Sequence, residues 1–315
     1  MSYPRISVFA GSANGTASPT RVIEGQETLQ ARTSHDISVD SMHDEIAVPN
    51  PFAQAILFFA GGAKGAEAPI RIIQGPKTML NYSDNVTLDP IHREAYVAQL
   101  MNDAILVFRS DADGDVAPVR LIHGPKTKLD RPVRVSVDPV NNLLAVTTIQ
   151  GVWFFNRTDN GDVAPRSIIS GPKTGLGVVR GTRKVIFSPQ GKKIIATGRR
   201  GGEASGELFI ADAKPFIGIW NYGDNGDVPP WAIMPDTAAY SMDLNPAAKE
   251  LITVDRGKLI VYRMPELFQR RRILVLTCRF KRYGGTNEIA ASTDSVVIGA
   301  GSRNSYVELG RLSSS

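Results

Sequence analysis

Residues 105–127 read ILVFRSDADGDVAPVRLIHGPKT, and residues 152–174 read VWFFNRTDNGDVAPRSIISGPKT. Both stretches contain an apolar strand, an acidic turn, a second apolar strand and a Gly-Pro-Lys-Thr turn, in the same order and at the same spacing. A phrase repeated in this way is typical of a fold assembled from copies of one supersecondary unit. Internal repetition is therefore the feature that decides the fold of this chain.

One short apolar strand of the repeat ends in Asp or a related polar residue and recurs along the chain. The last residues of its copies are Asp40, Asp89, Asp138, Ser188, Asn245 and Asp294, which places them 49, 49, 50, 57 and 49 residues apart. A second series of strands, which includes residues 56–59 and 105–108, keeps the same period. This spacing predicts repeat units of about 49 residues.

Each unit contains four short strands, which we label A to D in chain order, and these strands are rich in Val, Ile and aromatic residues. Turns such as Asp113-Gly114 and Asn160-Gly161 join strands C and D, because Asn-Gly and Asp-Gly accept the positive φ of hairpin turns. One such sheet cannot bury both of its faces, whereas sheets stacked radially around an axis can. We therefore predict an all-β fold: a single six-bladed β-propeller of four-stranded antiparallel blades over residues 1–302.

The order of strands at the two ends of the chain predicts how the ring closes. The chain opens on a C–D pair, at roughly residues 6–23, and its last repeat is an A–B pair, at roughly residues 287–300. The N-terminal outer strands should therefore complete the C-terminal blade. Two stretches depart from the repeat: an insertion near residues 198–214 in the fourth blade, and residues 303–315, which we expect to form a tail or an extra edge strand.

The composition is that of an ordinary globular protein. A hydrophobic content of 42% excludes a disordered chain, and the single cysteine, Cys278, excludes an intrachain disulfide. The sequence contains no run of apolar residues long enough to span a membrane. Because the N-terminus lacks an apolar signal core, a cytoplasmic monomer is the default expectation, with a processed periplasmic or secreted form left open.

The repeated phrases at 105–127 and 152–174 resemble those of bacterial NHL-like and lactonase-like propellers, and the resemblance extends over residues 6–262. It implies the propeller fold. Related propellers include metal-dependent lactone and organophosphate hydrolases, but also modules that bind ligands and partners. The resemblance therefore leaves both an enzyme and a non-catalytic binding module open.

The resemblance also implies a candidate metal site. Propeller hydrolases of the lactonase type hold a divalent cation near the axis with Glu, Asn and Asp side chains from the starts of the inner A strands. At those positions the candidate ligands in this chain are Asp36, Asn85 and Glu288, and calcium is the candidate ion. Cations at other strand starts would oppose a metal ion, and these are Arg131, Arg134, Arg183 and Lys184. No other cofactor is predicted.

Two further patterns favour a structural interpretation over a metal site. The acidic turn at residues 111–115 resembles a calcium loop, but it offers about three carboxylates where calcium takes six to eight oxygens. A hairpin turn that recurs because the blade recurs is the simpler interpretation. The four histidines, His35, His43, His92 and His123, have no spacing typical of a zinc site.

The charge distribution points to a binding face. Two stretches, 180–202 and 269–282, hold thirteen of the 36 basic residues and no acidic residue, so the rest of the chain has 23 basic residues and all 31 acidic ones. The excess of positive charge is therefore concentrated in these two stretches. In a propeller the D–A and B–C loops share one face, and we assign to it the basic residues Arg180, Arg183, Arg199, Arg200, Arg279, Lys281 and Arg282. The acidic turns are expected on the opposite face. Tyr82, Tyr240 and Tyr283 are candidates for stacking surface on the basic face.

These observations favour a non-catalytic binding or scaffold propeller whose basic D–A/B–C face contacts a protein or another anionic partner. Nucleic acid is a further candidate, although aromatic residues make up only 7% of the chain. The alternative is a metal-dependent lactonase-like hydrolase that acts at the mouth of the central channel. A bound ion on the axis favours the hydrolase, and an axis filled by side chains favours the binding module.

Overall fold

The computed structural model describes residues 4–32, 34, 36–83, 85–177, 182, 184–200, 213–255, 258–268, 295–301 and 304–309. The described strands form antiparallel sheets, of which five have four strands and one has three. The expectation of six four-stranded blades is therefore corrected to five. The three-stranded sheet ends on strand C, and the next apolar stretch of the sequence, residues 273–278, lies outside the described residues together with Cys278.

The strands follow the predicted A-to-D order. Blade 1 contains β3 (Ser38–Asp40), β4 (Glu45–Asn50), β5 (Ala55–Ala60) and β6 (Arg71–Gln74). Blade 2 contains β7 (Thr87–Asp89), β8 (Glu94–Gln99), β9 (Ala104–Arg109) and β10 (Arg120–Ile122). Blade 3 contains β11 (Arg134–Asp138), β12 (Leu143–Thr147), β13 (Gly151–Asn156) and β14 (Ser167–Ser170). Blade 4 contains β15 (Val185–Ser188), β16 (Lys193–Arg200), β17 (Lys214–Asn221) and β18 (Ala232–Pro235).

The remaining strands form the three-stranded sheet and the blade that closes the ring. The three-stranded sheet contains β19 (Ser241–Asn245), β20 (Glu250–Asp255) and β21 (Lys258–Arg263). The closing blade contains β1 (Arg5–Ala10), β2 (Arg21–Glu24), β22 (Ser295–Gly301) and β23 (Asn304–Leu309). The helices in the described residues are short 3-10 turns, at Gln26–Thr28, Pro76–Thr78, Pro125–Thr127 and Pro265–Phe268. None of the described helices has the length and apolar character needed to cross a membrane.

The core lies between neighbouring blades rather than within one sheet. Along β9, Ile105 and Val107 pack with blade 3, whereas Leu106 and Phe108 pack with blade 1. This alternation follows from the period of two in a strand, which sends successive side chains to opposite faces of the sheet. The middle strands of the blades are therefore apolar on both faces, as the near-continuous apolar runs in the sequence require.

The inner A strands surround the axis in chain order. Ser38 Oγ in β3 accepts a hydrogen bond from the Leu88 N–H in β7 at 2.9 Å, and Thr87 Oγ1 in β7 donates to the Val135 carbonyl in β11 at 2.9 Å. Contacts continue from β11 to β15, from β15 to β19, from β19 to β23 and from β23 back to β3. The starts of the A strands are thus brought together at one mouth of the axis.

The N-terminal strands close the ring as the sequence predicts, because β1 pairs with β22 from Arg5↔Ala300 to Ala10↔Ser295. The inner position of this blade differs from the prediction. It is occupied by β23, which pairs with the other edge of β22; the predicted A strand at residues 291–294 lies outside the described residues. The physical reason is proximity: a strand two residues further along the chain can pair with β22 at little cost in loop entropy.

The acidic turns connect neighbouring blades. Asp113 Oδ1 in blade 2 accepts the Ile72 N–H of blade 1 at 2.9 Å, and the Gly114 N–H donates to the Ile72 carbonyl at 2.7 Å. Asp115 Oδ1 accepts the Lys77 N–H of the Gly-Pro-Lys-Thr turn at 2.7 Å. Equivalent contacts are made by Asn160, Gly161 and Asp162 to blade 2, and by Asn225, Gly226 and Asp227 to blade 3. The acidic turn of one repeat unit and the Gly-Pro-Lys-Thr turn of the unit before it are therefore the two halves of one interblade contact.

The location of these carboxylates corrects the expectation of an acidic face opposite the D–A turns. Asp115, Asp162 and Asp227 lie beside the Gly-Pro-Lys-Thr turns, since each accepts a main-chain N–H from one of them. The ten residues between β9 and β10 are long enough to run along the outer strand of the preceding blade and reach its far end. The acidic and basic turns consequently share the rim of the molecule.

Candidate functional site

In blades 1 and 2 the D–A and B–C turns lie side by side on one face, as propeller geometry predicts. Within blade 1, Asn50 Nδ2 at the end of β4 donates to the Leu29 carbonyl in the preceding D–A turn at 2.7 Å. Within blade 2, Asn81 Nδ2 in the D–A turn donates to Asn102 Oδ1 in the B–C turn at 2.8 Å. We call this surface the D–A/B–C face.

Large apolar side chains are exposed on this face over blades 1 and 2. We call them the apolar cluster, and its members with their exposed fractions are Leu29 (49%), Phe52 (66%), Met79 (51%), Tyr82 (39%) and Met101 (66%). Burying an apolar side chain is worth about 1.5–3 kcal/mol, so a group of five left in water represents a substantial unused contribution. Adjacent exposed apolar residues of this kind mark interaction surfaces in soluble proteins.

Contacts join the turns that carry the apolar cluster. Phe52 and Tyr82 pack edge to face, with ring centroids 5.8 Å apart and planes at 76°, which joins the B–C turn of blade 1 to the D–A turn before blade 2. Gln99 Nε2, two residues before Met101, donates to the Met79 carbonyl at 3.4 Å. Leu29 lies in the turn held by Asn50, two residues before Phe52. The turns that carry the cluster are therefore linked across two neighbouring blades.

Three members of the apolar cluster have left-handed backbone conformations: φ is 55° at Leu29, 59° at Met79 and 52° at Tyr82. Such conformations cost a non-glycine residue about 1–2 kcal/mol. The repeat itself shows that the fold does not need apolar side chains there. The position of Leu29 and Met79 is taken by Lys128 and Gly175 in the next two D–A turns, and the position of Tyr82 by Arg131.

The predicted basic residues are only partly within the described structure. Arg199 is half-buried near the end of β16, and its Nη1 donates to the Ala213 carbonyl at 3.3 Å. Arg200 is the last residue of that strand and pairs with Lys214 at the start of β17, so both arginines belong to a hairpin longer than those of blades 1–3. The others, Arg180, Arg183, Arg279, Lys281 and Arg282, lie outside the described residues, as do Tyr283 and residues 201–212 of the predicted insertion.

At the mouth of the axis the structure places one carboxylate between two cations. Asp36 is buried just before β3, and its Oδ2 lies 3.1 Å from Arg134 Nη1 of β11. Its Oδ1 lies 3.4 Å from Lys184 Nζ, just before β15. Three inner strands thus contribute to one ion cluster, whose formal charge is +1. The sequence places these residues at strand starts, but it does not show that Arg134 and Lys184 pair with Asp36.

The second candidate metal ligand is engaged by the main chain. Asn85 is buried before β7, where its Nδ2 donates to the Ala98 carbonyl at 3.0 Å and its Oδ1 accepts the Ala98 N–H at 2.9 Å. Glu288 lies outside the described residues. The described part of the chain brings together no group of three His, Cys, Asp or Glu side chains suited to a metal ion. The metal site remains a prediction.

The histidines that lie in A–B turns have structural partners. His43 Nδ1 lies 2.8 Å from Asp40 Oδ2, and His92 Nδ1 lies 2.8 Å from Asp89 Oδ2. The same aspartates also accept main-chain N–H groups of the turn, which explains why strand A ends in Asp. His123 Nδ1 lies 3.3 Å from the Asp103 carbonyl, and His35 is outside the described residues.

A charged network on the opposite side of the blades was not predicted from the sequence. Glu94, the first residue of β8, forms a bidentate pair with Arg120 at 2.8 and 2.7 Å. It also accepts from Arg157 Nη1 of blade 3 and from Tyr96 Oη, each at 2.6 Å. Burial acts to raise the pKa of Glu94, but hydrogen bonds from Arg120 and Tyr96 and the charges of both arginines outweigh it, so that the pKa is lowered. Burial and the Glu94 contact raise the pKa of Tyr96.

The apolar cluster was also missed, although the sequence contains its signal. The strands of the repeat, where apolar residues are expected, do not reveal it, because the signal lies in the turns. Aligning the turns shows Leu29 and Met79 where another unit has Lys128, and Tyr82 where another has Arg131. An apolar residue at a turn position that is charged in sister repeats is the pattern that identifies such a cluster.

Comparisons with known proteins identify the architecture. No family model matches the chain, and no curated protein matches it. Among solved structures, hydrazine synthase of Kuenenia stuttgartiensis matches with a TM-score of 0.52 and 18% identity over 73% of this chain and 64% of that one, so the present chain spans less than two thirds of it. A putative 6-phosphogluconolactonase from Bacteroides uniformis matches with a TM-score of 0.50 and 16% identity, covering 79% and 69% of the two chains.

The WD40 β-propeller domain of Doa1 is similar over most of the chain, with a TM-score of 0.55 and 9% identity over 98% of this chain and 94% of that domain. Identities this low show a shared fold and nothing more specific. Propellers with different functions match equally well. The present chain is a β-propeller of four-stranded antiparallel blades.

Proposed function

We propose that this protein is a non-catalytic binding or scaffold propeller that contacts its partner through the D–A/B–C face. The observation that carries the proposal is the ion cluster at the mouth of the axis. Asp36, which a channel hydrolase would use for its metal, is paired with Arg134 and Lys184. A divalent cation entering there would have to displace two positive charges from a buried carboxylate, which Coulomb repulsion opposes. Asn85 likewise has both ends of its amide occupied by Ala98.

The proposal includes the predicted basic residues Arg180, Arg183, Arg199, Arg200, Arg279, Lys281 and Arg282 as the groups that attract an anionic partner. Support comes from the hairpin of blade 4. Its strands β16 and β17 are longer than the B and C strands of blades 1–3, and the additional residues include Arg199 and Arg200. We also propose that the repeat is related to NHL-like and lactonase-like propellers, on the phrases quoted above. A protein partner is favoured by the apolar cluster on the same face.

The proposed face can be tested with a heparin octasaccharide as an anionic probe. Replacing Arg199, Arg200, Arg279 and Arg282 with Gln should weaken octasaccharide binding at least about tenfold, since each exposed charge contact is worth up to about 1 kcal/mol. The matched control replaces four exposed cations nearer the opposite face, Arg109, Arg166, Lys249 and Arg263, with Gln. If both variants lose affinity equally, or neither does, the D–A/B–C face is not the anion-binding surface.

The alternative function, a metal-dependent lactonase-like hydrolase, requires Asp36 and Asn85 to leave their present partners. One observation favours it: the two residues precede β3 and β7, which are neighbouring inner strands. Metal analysis of the purified protein distinguishes the two functions. A stoichiometric divalent ion that is lost in an Asp36→Ala variant would favour the hydrolase.

A further inference from the structure

We propose that Asn160-Gly161 and Asn225-Gly226 are self-modification sites, at which asparagine converts to aspartate or isoaspartate when neighbouring blades separate. Both pairs lie in the turns between strands C and D that meet the preceding blade. This chemistry goes beyond the proposed function and is independent of it, because it needs no partner other than water.

The reaction at an Asn-Gly pair balances without any cofactor. The Gly161 nitrogen bonds to Cγ of Asn160, the bond from Cγ to Nδ2 breaks, and Nδ2 leaves as ammonia with the proton that the Gly161 nitrogen gives up. Water then opens the succinimide ring at one of its two carbonyl carbons, which gives either aspartate or isoaspartate. Nothing is oxidised or reduced. Glycine favours the reaction because it has no side chain to hinder the attacking nitrogen, and asparagine is one of the thermolabile residues.

Burial does not protect the two pairs. Asn160 and Asn225 are both exposed, so water reaches each turn. Protection in the folded protein therefore has to come from hydrogen bonds.

One residue of the preceding blade holds both reacting groups of each pair. The Leu121 N–H donates to Asn160 Oδ1 at 2.9 Å, and the Leu121 carbonyl accepts the Gly161 N–H at 2.7 Å. The same two bonds, at 2.9 and 2.6 Å, join Ile168 to the pair Asn225-Gly226. We call each set of two hydrogen bonds a clasp.

A closed clasp opposes formation of the succinimide ring. The Gly161 nitrogen becomes a nucleophile only when it loses its proton, and that proton is held in the hydrogen bond to the Leu121 carbonyl, which is not a base. The Asn160 side chain is anchored through Oδ1, which limits its rotation towards the nitrogen. The Leu121 N–H polarises the side-chain carbonyl, but only in the state in which the nitrogen is also held. The reaction therefore proceeds from the fraction of molecules in which the two blades have locally separated.

The neighbouring repeat shows which product the contact tolerates. In blade 2 the place of Asn160 is taken by Asp113, whose Oδ1 accepts the Ile72 N–H at the same distance of 2.9 Å. Aspartate at position 160 therefore reproduces a contact that the fold already contains. Isoaspartate instead carries the main chain through Cγ and adds a methylene group to it, so the acceptor and the Gly161 N–H lose their spacing. We expect the isoaspartate product alone to weaken the contact between blades.

The closing blade holds a third pair of the same type, Asn14-Gly15, in the corresponding turn. The stretch expected to precede it in the ring, residues 273–278, lies outside the described residues. We therefore confine the proposal to Asn160 and Asn225.

The test compares both sites in the folded and the guanidinium-unfolded wild-type protein at mildly alkaline pH. Proteolysis and mass spectrometry measure the loss of asparagine at each site, and labelling by an isoaspartyl methyltransferase separates isoaspartate from aspartate. We expect both sites to react at least about tenfold more slowly in the folded protein, because opening of the clasp is an unfavourable local equilibrium.

Asp162→Ala weakens the contact around the first pair without changing a reacting atom. Asp162 Oδ1 accepts the Lys126 N–H of the preceding blade at 2.7 Å. Alanine at this place is compatible with the fold, because the corresponding residue of blade 1 is Ala66. In the folded protein the variant should raise the rate at Asn160 several-fold and leave the rate at Asn225 unchanged. Its rates after unfolding correct for any effect of the substitution on the intrinsic chemistry.

Asp227→Ala is the matched control at the second pair, since Asp227 Oδ1 accepts the Lys173 N–H at 2.7 Å. It should raise the rate at Asn225 and leave the rate at Asn160 unchanged. Asn160→Asp, which carries the aspartate product from the start, should unfold close to the wild-type urea midpoint, whereas the isoaspartate fraction of aged protein should unfold at a lower urea concentration.

Equal rates in the folded and the unfolded protein would overturn the inference, as would the absence of reaction at both sites in the unfolded protein. If each alanine variant accelerated both sites equally, opening of the whole ring rather than of one clasp would control the reaction, which also contradicts the inference. The comparison of folded with unfolded wild type needs no substitution, so it decides the matter even if a variant fails to fold. Octasaccharide binding takes no part in these measurements, so their failure leaves the proposed face standing.

Discussion

Replacing Glu94 with Ala is expected to destabilise the protein by about 3 kcal/mol, because removing one partner of a buried ion pair leaves the other charge uncompensated. Arg120, whose side chain is only 18% exposed, would lose its carboxylate, and Arg157, which is 11% exposed, would keep one described carboxylate, Asp89, whose Oδ2 lies 3.7 Å from Arg157 Nε. Arg157 belongs to blade 3 and Glu94 to blade 2, so the variant also loses a contact between blades. The shift of the urea-unfolding midpoint at pH 7 measures the effect.

The pH dependence of the Glu94→Ala effect follows from the direction of the pKa shift. The pKa of Glu94 is lower in the folded protein than its ordinary value, so the carboxylate contributes its full stability above the unfolded pKa of about 4.3. That contribution decreases as the pH falls from there through the folded-state pKa. The difference between wild type and Glu94→Ala should therefore be largest near neutral pH and should shrink below about pH 4.

Glu250 provides the matched control, because it is the first residue of β20 and pairs in register with Asn245 as Glu94 does with Asp89. Its described hydrogen bond is to Asn245 Nδ2 at 3.3 Å, and burial raises its pKa. Glu250→Ala should cost less than about 1 kcal/mol, in the range of a single hydrogen bond. Equal midpoint shifts for Glu94→Ala and Glu250→Ala would contradict the importance assigned to the arginine network.

Gly75→Ala is expected to destabilise the protein by about 2–4 kcal/mol, which combines about 1–3 kcal/mol of backbone strain with about 1 kcal/mol for a lost hydrogen bond. Gly75 has φ 136° and ψ 171°, a conformation essentially confined to glycine. A Cβ there would also lie 2.4 Å from the Asp115 carboxyl carbon. Asp115 would have to move, and the Lys77 N–H would lose its acceptor.

Two variants separate strain from collision. Gly114→Ala also places a side chain at positive φ, 75°, but its Cβ meets no atom within 4 Å, so it should cost only about 1 kcal/mol. Introducing Asp115→Gly together with Gly75→Ala should recover part of the loss, because the collision partner is gone. Strict additivity of the two substitutions in urea unfolding would show that Gly75 and Asp115 do not interact.

The architecture could be predicted from the sequence to the extent that it is periodic. Strand order, hairpin glycines and ring closure follow from spacing, since residue positions 49 apart must occupy equivalent places. The closing blade departs from the prediction because β23 pairs with β22 by proximity, which a repeat alignment does not contain. Spacing also does not reveal that the loop before β10 crosses to the preceding blade, where Asp115 meets Lys77.

The site could be predicted less well, for a physical reason. Residue types at the strand starts indicated where Asp36 and Asn85 would lie, but their partners come from other blades or strands: Arg134 lies 98 positions after Asp36. Whether a carboxylate is a free ligand or half of an ion pair depends on such distant neighbours. The apolar cluster depends on Phe52 and Tyr82 meeting across two blades, which again only the folded ring brings about.

The central claim is that this propeller acts through its D–A/B–C face. Amide hydrogen exchange, measured with and without the heparin octasaccharide, tests it most directly. We predict slower exchange at the end of the blade 4 hairpin, in residues 197–200 and 213–216, with no change in the A–B turns at residues 41–44 and 90–93. Protection confined to the A–B turns, or no protection at saturating octasaccharide, would contradict the claim.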